Sequence, residues 1–186
     1  MTMETLQAIK SRRSIRLYKD TPVEQEKMDA LLDIIGLYPS GANLQPLKFR
    51  VVQSKEECDA VFPHLKWAGY LPGFVIEKHQ QPTAYIVVVR DTTVAGDAEY
   101  SAGAATNALC IAAADLGLGS CILGSCDRKK LHSLLNIDAE RYEILYVVSF
   151  GYPDHEADYV PMTDSIKYYR TEDGAFHVPK RQDILL

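Results

Sequence analysis

The stretch from Asp97 to Leu116 is the feature that most constrains the fold of this chain. It contains no proline and is rich in alanine, the residue with the highest helix propensity. Small side chains at several positions would let other elements pack closely against such a helix: Ala104, Ala105, Ala108, Ala112 and Ala113. Gly117 and Gly119 follow at once, and we therefore predict one long central helix that ends there.

Strands are predicted beside this helix. The run AYIVVV from Ala84 to Val89 is continuously apolar and rich in β-branched residues, which is typical of a central strand buried on both faces. Shorter strands are predicted at Lys48 to Gln53, Cys121 to Leu123 and Ile144 to Phe150. Helices and strands alternate along the chain, and at 186 residues with 47% hydrophobic composition we expect one domain over 1–186.

Three capping signals predict where shorter helices begin. Thr21 with Glu24 three residues later is a capping box, and Ser54 with Glu57 is a second one. Asp127 is an N-cap residue in front of another apolar stretch.

Two segments lack a regular period. From His64 to Pro82 the pattern is irregular, and we expect a long loop or lid, a kind of segment that is often functional. Residues 154–186 are polar and cannot form a core alone, so we expect an extended C-terminal tail. Its aromatic residues favour a tail laid across another surface: Tyr159, Tyr168, Tyr169 and Phe176.

Composition excludes several function classes. A net charge of −5 argues against nucleic acid as a partner. No apolar run approaches the length that crosses a bilayer, and the chain starts with polar residues, so we expect a cytoplasmic protein without a membrane partner. The four cysteines show neither CxxC spacing nor a cluster with histidine, so no metal site is expected.

A basic cluster near the start is the first candidate site. Arg12, Arg13, Ser14 and Arg16 provide guanidinium groups and a hydroxyl that match the oxygens of one phosphate. A solvated basic turn is the alternative. Near the C-terminus, Lys180 and Arg181 form a second basic pair that could converge on the first, or could simply end a cationic tail.

A loop with two prolines is the second candidate. Its polar members are Ser40, Asn43 and Gln45, and Pro39 stiffens it. The side-chain amides offer both donors and acceptors, which the edge of a heteroaromatic ring requires. An ordinary turn with local hydrogen bonds is the alternative.

Other catalytic patterns are missing from the sequence. The five histidines are scattered, and G-x-S-x-G, H-E-x-x-H and Walker-type patterns do not occur. The spacing Gly117-Leu118-Gly119 lacks the third glycine of a dinucleotide fingerprint.

In combination these motifs resemble the FMN-dependent nitroreductase family. The opening RRSIR-x-Y is followed by PS-x-x-N-x-QP, GAATNALCIAAADLGLGS, ILG and FGYP, in an order that spans nearly the whole chain. The resemblance implies an α+β fold, with a mostly antiparallel sheet flanked by helices in a three-layer arrangement. It also implies an intertwined homodimer that binds FMN at the interface, with the tail reaching over the partner.

The resemblance also implies roles for single residues. Arg12, Arg13, Ser14 and Arg16 would contact the phosphate and ribityl groups, and Lys180 and Arg181 the phosphate. Pro39, Ser40 and Asn43, with Gln45 beside them, would approach the ring from the partner subunit. The backbone of Leu123 and Gly124 would face flavin N5. Two features depart from the family pattern: Leu47 replaces an aromatic residue, and the segment between Cys58 and Ala84 matches no known lid.

The implied activity is transfer of electrons from NAD(P)H, through FMN, to a small-molecule acceptor such as a nitroaromatic or a quinone. A flavin-binding carrier or redox sensor without turnover is the alternative. A third option keeps the enzyme and changes the reaction to enone reduction, halogen removal or flavin fragmentation.

Overall fold

A four-stranded sheet forms the middle layer of the molecule, in a computed structural model that describes residues 4–182, 184 and 185. The strands are β1 (Leu47–Val52), β2 (Ala84–Asp91), β3 (Gly119–Leu123) and β4 (Tyr142–Gly151). Their order is β1-β2-β4-β3, and every neighbouring pair is antiparallel. Because β2 lies inside the sheet, its apolar run is buried on both faces, as predicted.

Helices cover both faces of this sheet. α2 (Gln25–Ile35) and α4 (Ala98–Asp115) lie on one face, and α3 (Lys55–Val61) and α5 (Arg128–Leu134) lie on the other. The short α1 (Thr5–Ser11) packs along α4, which is the long helix predicted from its alanines. The three-layer α+β fold is therefore confirmed. No helix in the described part of the chain is both long and apolar enough to cross a membrane.

Two of the three predicted caps are confirmed. The Ser54 side chain accepts a hydrogen bond from the Glu57 backbone N–H at 3.2 Å and begins α3. The Asp127 carboxylate accepts one from the Lys130 N–H at 3.1 Å and begins α5. In both places the capping oxygen and the N–H that donates to it lie three residues apart, so local geometry suffices.

The prediction of a capping box at Thr21 is wrong. α2 begins only at Gln25, and its N-cap residue Glu24 makes no capping hydrogen bond with its side chain. The Glu24 carboxylate instead accepts hydrogen bonds from the Tyr152 hydroxyl, at 2.7 and 2.8 Å. The Thr21 carbonyl accepts one from the Thr83 hydroxyl at 3.2 Å, so both residues are engaged by distant parts of the chain.

The C-terminal segment forms a second, smaller sheet. It contains β5 (Ala157–Val160), β6 (Tyr169–Arg170) and β7 (Phe176–Pro179), in the order β5-β7-β6. Phe176 is fully buried and packs edge-on against Phe74, with the ring centroids 5.7 Å apart. The surface that this tail covers in one chain is thus its own body, and contact with a partner subunit stays a prediction.

Residues 12–18, named the arginine segment here, lie along the edge of the main sheet. Ser14 bridges to Ser120 of β3 in parallel, and the Ile15 N–H donates to the Ser120 carbonyl at 2.9 Å. This pairing holds the arginine cluster beside the end of the sheet.

Candidate functional site

A cavity of about 360 Å³ separates the arginine segment from the C-terminal sheet. Arg12, Arg13 and Ser14 line one side, and Arg181 belongs to the other. The remaining lining residues come from the tail: Tyr159, Met162, Ile166, Val178 and Pro179. Members of two basic clusters that are far apart in sequence therefore line one cavity.

Arg13 has an incomplete set of hydrogen bonds in this cavity. Its Nη1 donates to the carbonyls of Lys10 and Arg12, at 2.5 and 2.8 Å. The guanidinium lies over the Tyr159 ring, with Cζ 3.9 Å from the centroid. Its Nε is buried and has no hydrogen-bond partner. A buried guanidinium donor left unpaired favours an anionic acceptor, since an unsatisfied polar group is costly.

Arg16 and Lys180 do not line the cavity. The Arg16 guanidinium lies over the Tyr168 ring, with Cζ 4.2 Å from the centroid, and its Nη1 donates to the Ser14 carbonyl at 3.2 Å. Lys180 is exposed, and its backbone N–H donates to the Val160 carbonyl at 2.8 Å. The structure thus divides the predicted basic cluster into two environments.

Burial keeps the thiol of Cys121, which lies near the arginine segment, protonated. It raises the pKa of Cys121 to about 11, although the charge of Arg16 acts in the opposite direction. No thiolate therefore competes for the guanidinium groups near neutral pH.

The second candidate, residues 39–46 and named the amide loop here, comes directly before β1 in the chain. None of its predicted site residues is among the lining residues of the cavity: Pro39, Ser40, Asn43 and Gln45. The Ser40 hydroxyl accepts from the Gln45 N–H at 3.0 Å, and the Gln45 amide donates to Asn43 Oδ1 at 3.2 Å.

The backbone of this loop is strained. Ala42, Asn43 and Gln45 have φ values of 48°, 55° and 51°, in the left-handed region that disfavours L-residues. For Ala42 and Gln45 this conformation costs roughly 1–2 kcal/mol each, and asparagine tolerates it better. Backbone strain of this kind is concentrated at ligand sites, which supports a binding role for the loop.

The turn after β3 contains the third predicted group. Leu123 is buried and Gly124 is exposed. A Cβ added to Gly124 would lie 3.6 Å from the Tyr146 ring, an ordinary contact, and its φ is not left-handed. The fold therefore does not require glycine at this position.

Comparison with known proteins decides the family. The Nitroreductase family model matches residues 9–82 and 80–152, which include the arginine segment, the amide loop and the turn after β3. The chain belongs to the nitroreductase family.

Relatives support this assignment over most of their length. A protein of Archaeoglobus fulgidus, provisionally named an NADH dehydrogenase/NAD(P)H nitroreductase, is 33% identical over 172 residues, 87% of this chain and 92% of that protein. An FMN-dependent nitroreductase structure from Clostridium difficile R20291 matches with a TM-score of 0.68 and 27% identity, over 86% of this chain and 92% of that one. A provisionally named nitroreductase from Desulfovibrio desulfuricans, solved in complex with FMN, has a TM-score of 0.67 and 28% identity, covering 83% of this chain and 88% of that one.

Sequence reasoning missed two features of this region. The apolar wall of the cavity comes from the C-terminal sheet, and only the aromatic residues of the tail, Tyr159 among them, hinted at it. Arg128, whose guanidinium donates to the Gly124 carbonyl at 3.0 Å, was not singled out, because one arginine at the start of a helix has no distinctive pattern.

Proposed function

We propose that this nitroreductase-family chain is an FMN-dependent oxidoreductase that passes electrons from NAD(P)H to a small acceptor such as a nitroaromatic or a quinone. One observation supports it most: the cavity in which Arg12, Arg13, Ser14 and Arg181 meet. The FMN-dependent and FMN-complexed nitroreductases among its structural relatives point to the same cofactor.

The donor set of the cavity fits a single phosphate. Arg12, Arg13 and Arg181 would supply positive charge, and Ser14 would add a short hydroxyl donor. Guanidinium groups bind phosphate oxygens through charge-assisted hydrogen bonds, which are stronger than those between neutral groups.

The other predicted residues would orient the ring. The backbone of Leu123 and Gly124 would face flavin N5, Arg16 would contact the ribityl group from outside the cavity, and Lys180 would add charge near the phosphate. The amide loop would act from the partner subunit, with Pro39 and Ser40 beside Asn43 and Gln45. Bound FMN would supply the redox chemistry, and the protein would supply orientation and electrostatics. Water can protonate the product, so no acidic side chain is needed.

We also propose that the active form is a homodimer. Gly103 is exposed in the middle of α4, and an added Cβ there would meet nothing within 4 Å. A glycine inside a helix costs about 1 kcal/mol, which close approach of another surface would offset. Leu6 and Ile9 of α1 are also exposed, at 68% and 47%. These exposed parts of α1 and α4 are suited to contact a second copy of the chain.

Identification of the bound flavin is the first test. The purified protein should be yellow, and the flavin released on denaturation should be FMN. Recovery of FAD, or of no flavin after reconstitution with excess FMN, would contradict the proposal. Steady-state oxidation of NAD(P)H with menadione or a nitroaromatic separates the enzyme from a carrier, which would bind FMN without turnover.

Arg12→Ala provides the test of the cavity. Loss of one charge-assisted hydrogen bond should weaken FMN binding by about 1.5–3 kcal/mol, roughly 10- to 150-fold, measured by flavin fluorescence titration. Lys10→Ala is the matched control, since it removes one positive charge from an exposed position two residues away. Equal affinities in the two variants would mean that the cluster is a solvated turn.

A further inference from the structure

Arg128 joins the turn after β3 to the neighbouring strand. Its Nε donates to the Ile144 carbonyl at 2.8 Å, and its Nη2 donates to the carbonyls of Gly124 and Leu145, at 3.0 and 3.3 Å. One guanidinium on α5 thus binds three main-chain acceptors, two on β4 and one on the turn.

The rest of this turn has other supports. The Lys66 N–H donates to the Ser125 carbonyl at 3.0 Å, and the Asp127 N–H donates to the His64 carbonyl at 2.8 Å. These bonds hold residues 125–127 without Arg128. The particular effect of the guanidinium therefore falls on the carbonyl of Gly124.

Gly124 is the residue at which such a restraint matters most. It is exposed and has no side chain to limit rotation of its peptide planes, although the Tyr146 ring lies beneath it. The hydrogen bond from Arg128 to its carbonyl fixes the Gly124–Ser125 peptide plane, which directly follows the Leu123–Gly124 peptide. The bond also places a permanent positive charge beside the turn, because arginine stays protonated in proteins.

We propose that Arg128 is a positioning residue that directs the Leu123–Gly124 backbone toward the flavin ring and places positive charge near it. This inference rests on the proposed function. The charge would favour the negative charge that a flavin ring gains when an electron pair is added at N5. Arg128 does not line the phosphate cavity, so its effect on the ring is separable from FMN affinity.

Sulfite affinity of the FMN-bound protein tests this role, because sulfite donates its electron pair to flavin N5 and leaves the ring anionic. Arg128→Met should weaken sulfite binding about tenfold or more, the loss expected for a hydrogen bond from a charged group. Arg128→Lys keeps the charge with fewer donors and should give an intermediate value. Lys129→Met, on the same helix, removes an exposed charge and should match the wild type. FMN affinity should change little in all three variants.

Each outcome decides the inference. Wild-type sulfite affinity in FMN-bound Arg128→Met would overturn it while leaving the proposed function intact. If Arg128→Met does not fold, Arg128→Lys decides: an intermediate sulfite affinity supports the inference, and wild-type affinity, or failure to fold, overturns it. A wild-type protein that binds no FMN would overturn the proposed function, and this inference with it.

Discussion

At the scale of single residues, His155 connects the C-terminal sheet to the body of the molecule. Its Nδ1 accepts a hydrogen bond from the Leu17 N–H at 3.4 Å, and its ring centroid lies 4.4 Å from that of Phe176. Burial lowers the pKa of His155 to about 4, helped by the positive charges of Arg16 and Arg170. Asp154 acts in the opposite direction. The neutral ring is the form that can accept from Leu17.

This depressed pKa predicts a loss of stability in mild acid. Below the ordinary histidine pKa of about 6.5, His155 of the unfolded chain binds a proton, whereas His155 of the folded chain stays neutral down to about pH 4. The free energy of unfolding should therefore fall across this window, by up to about 3 kcal/mol. Urea denaturation between pH 7 and 4 should show this slope reduced in His155→Gln. Equal slopes in both proteins would show that His155 does not resist protonation.

At the scale of elements, close contacts fix how the arginine segment lies along the edge of the sheet. A Cβ added to Gly151 of β4 would lie 2.8 Å from the ring of Tyr18, which is fully buried. The Tyr18 hydroxyl donates to the Ile15 carbonyl at 2.6 Å and also pairs with the Ser149 hydroxyl at 2.8 Å. The ring is therefore restrained at both ends and has little room to move.

Gly151→Ala should accordingly destabilise the protein. Overpacking of a well-filled core typically costs about 1–3 kcal/mol in the free energy of unfolding. Gly124→Ala is the matched control, because its new Cβ would make only an ordinary contact at 3.6 Å. Urea denaturation of both variants measures the difference. If the two substitutions lower the free energy of unfolding equally, Tyr18 can shift and packs less tightly against Gly151 than the contacts indicate.

Removal of a helix cap should also lower the stability of the protein. Ser54→Ala should lower the free energy of unfolding by about 1 kcal/mol, because the Glu57 N–H loses its acceptor. Thr21→Ala should change it much less, because Thr21 caps no helix. Thermal or urea denaturation compares the two. A larger loss at Thr21 would restore the capping box that the sequence predicts there.

At the scale of the whole molecule, the C-terminal sheet completes the cavity. It supplies Arg181 and the Tyr159 ring that lies over Arg13, and it covers apolar surface with Phe176. A chain that ends after Pro153 should therefore bind FMN more weakly and be less soluble. If the tail also reaches the partner, dimer stability should fall as well.

Sedimentation and flavin content, measured together, test this truncation. A chain that ends at Arg181 is the control, since it keeps every described residue that lines the cavity. If the chain ending at Pro153 stays dimeric and holds FMN as tightly as the full chain, the tail neither contacts phosphate nor stabilises the dimer.

Much of the fold and the family could be predicted from the sequence alone. The alanine-rich α4, the apolar β2 and the caps at Ser54 and Asp127 depend on interactions between neighbours in the chain. Helix propensity, strand patterning and capping act over a few residues, so they are visible without the tertiary structure. The order of short motifs was enough to indicate the family.

Tertiary structure decided which of these groups meet. Arg13 and Arg181 line one cavity, Arg16 lies over the Tyr168 ring, and Arg128 reaches Gly124 and two carbonyls of β4. Thr21 fails as a cap because distant residues engage its segment. Contacts of this kind join positions that are far apart in sequence. They depend on how layers pack and segments cross, which no local pattern specifies.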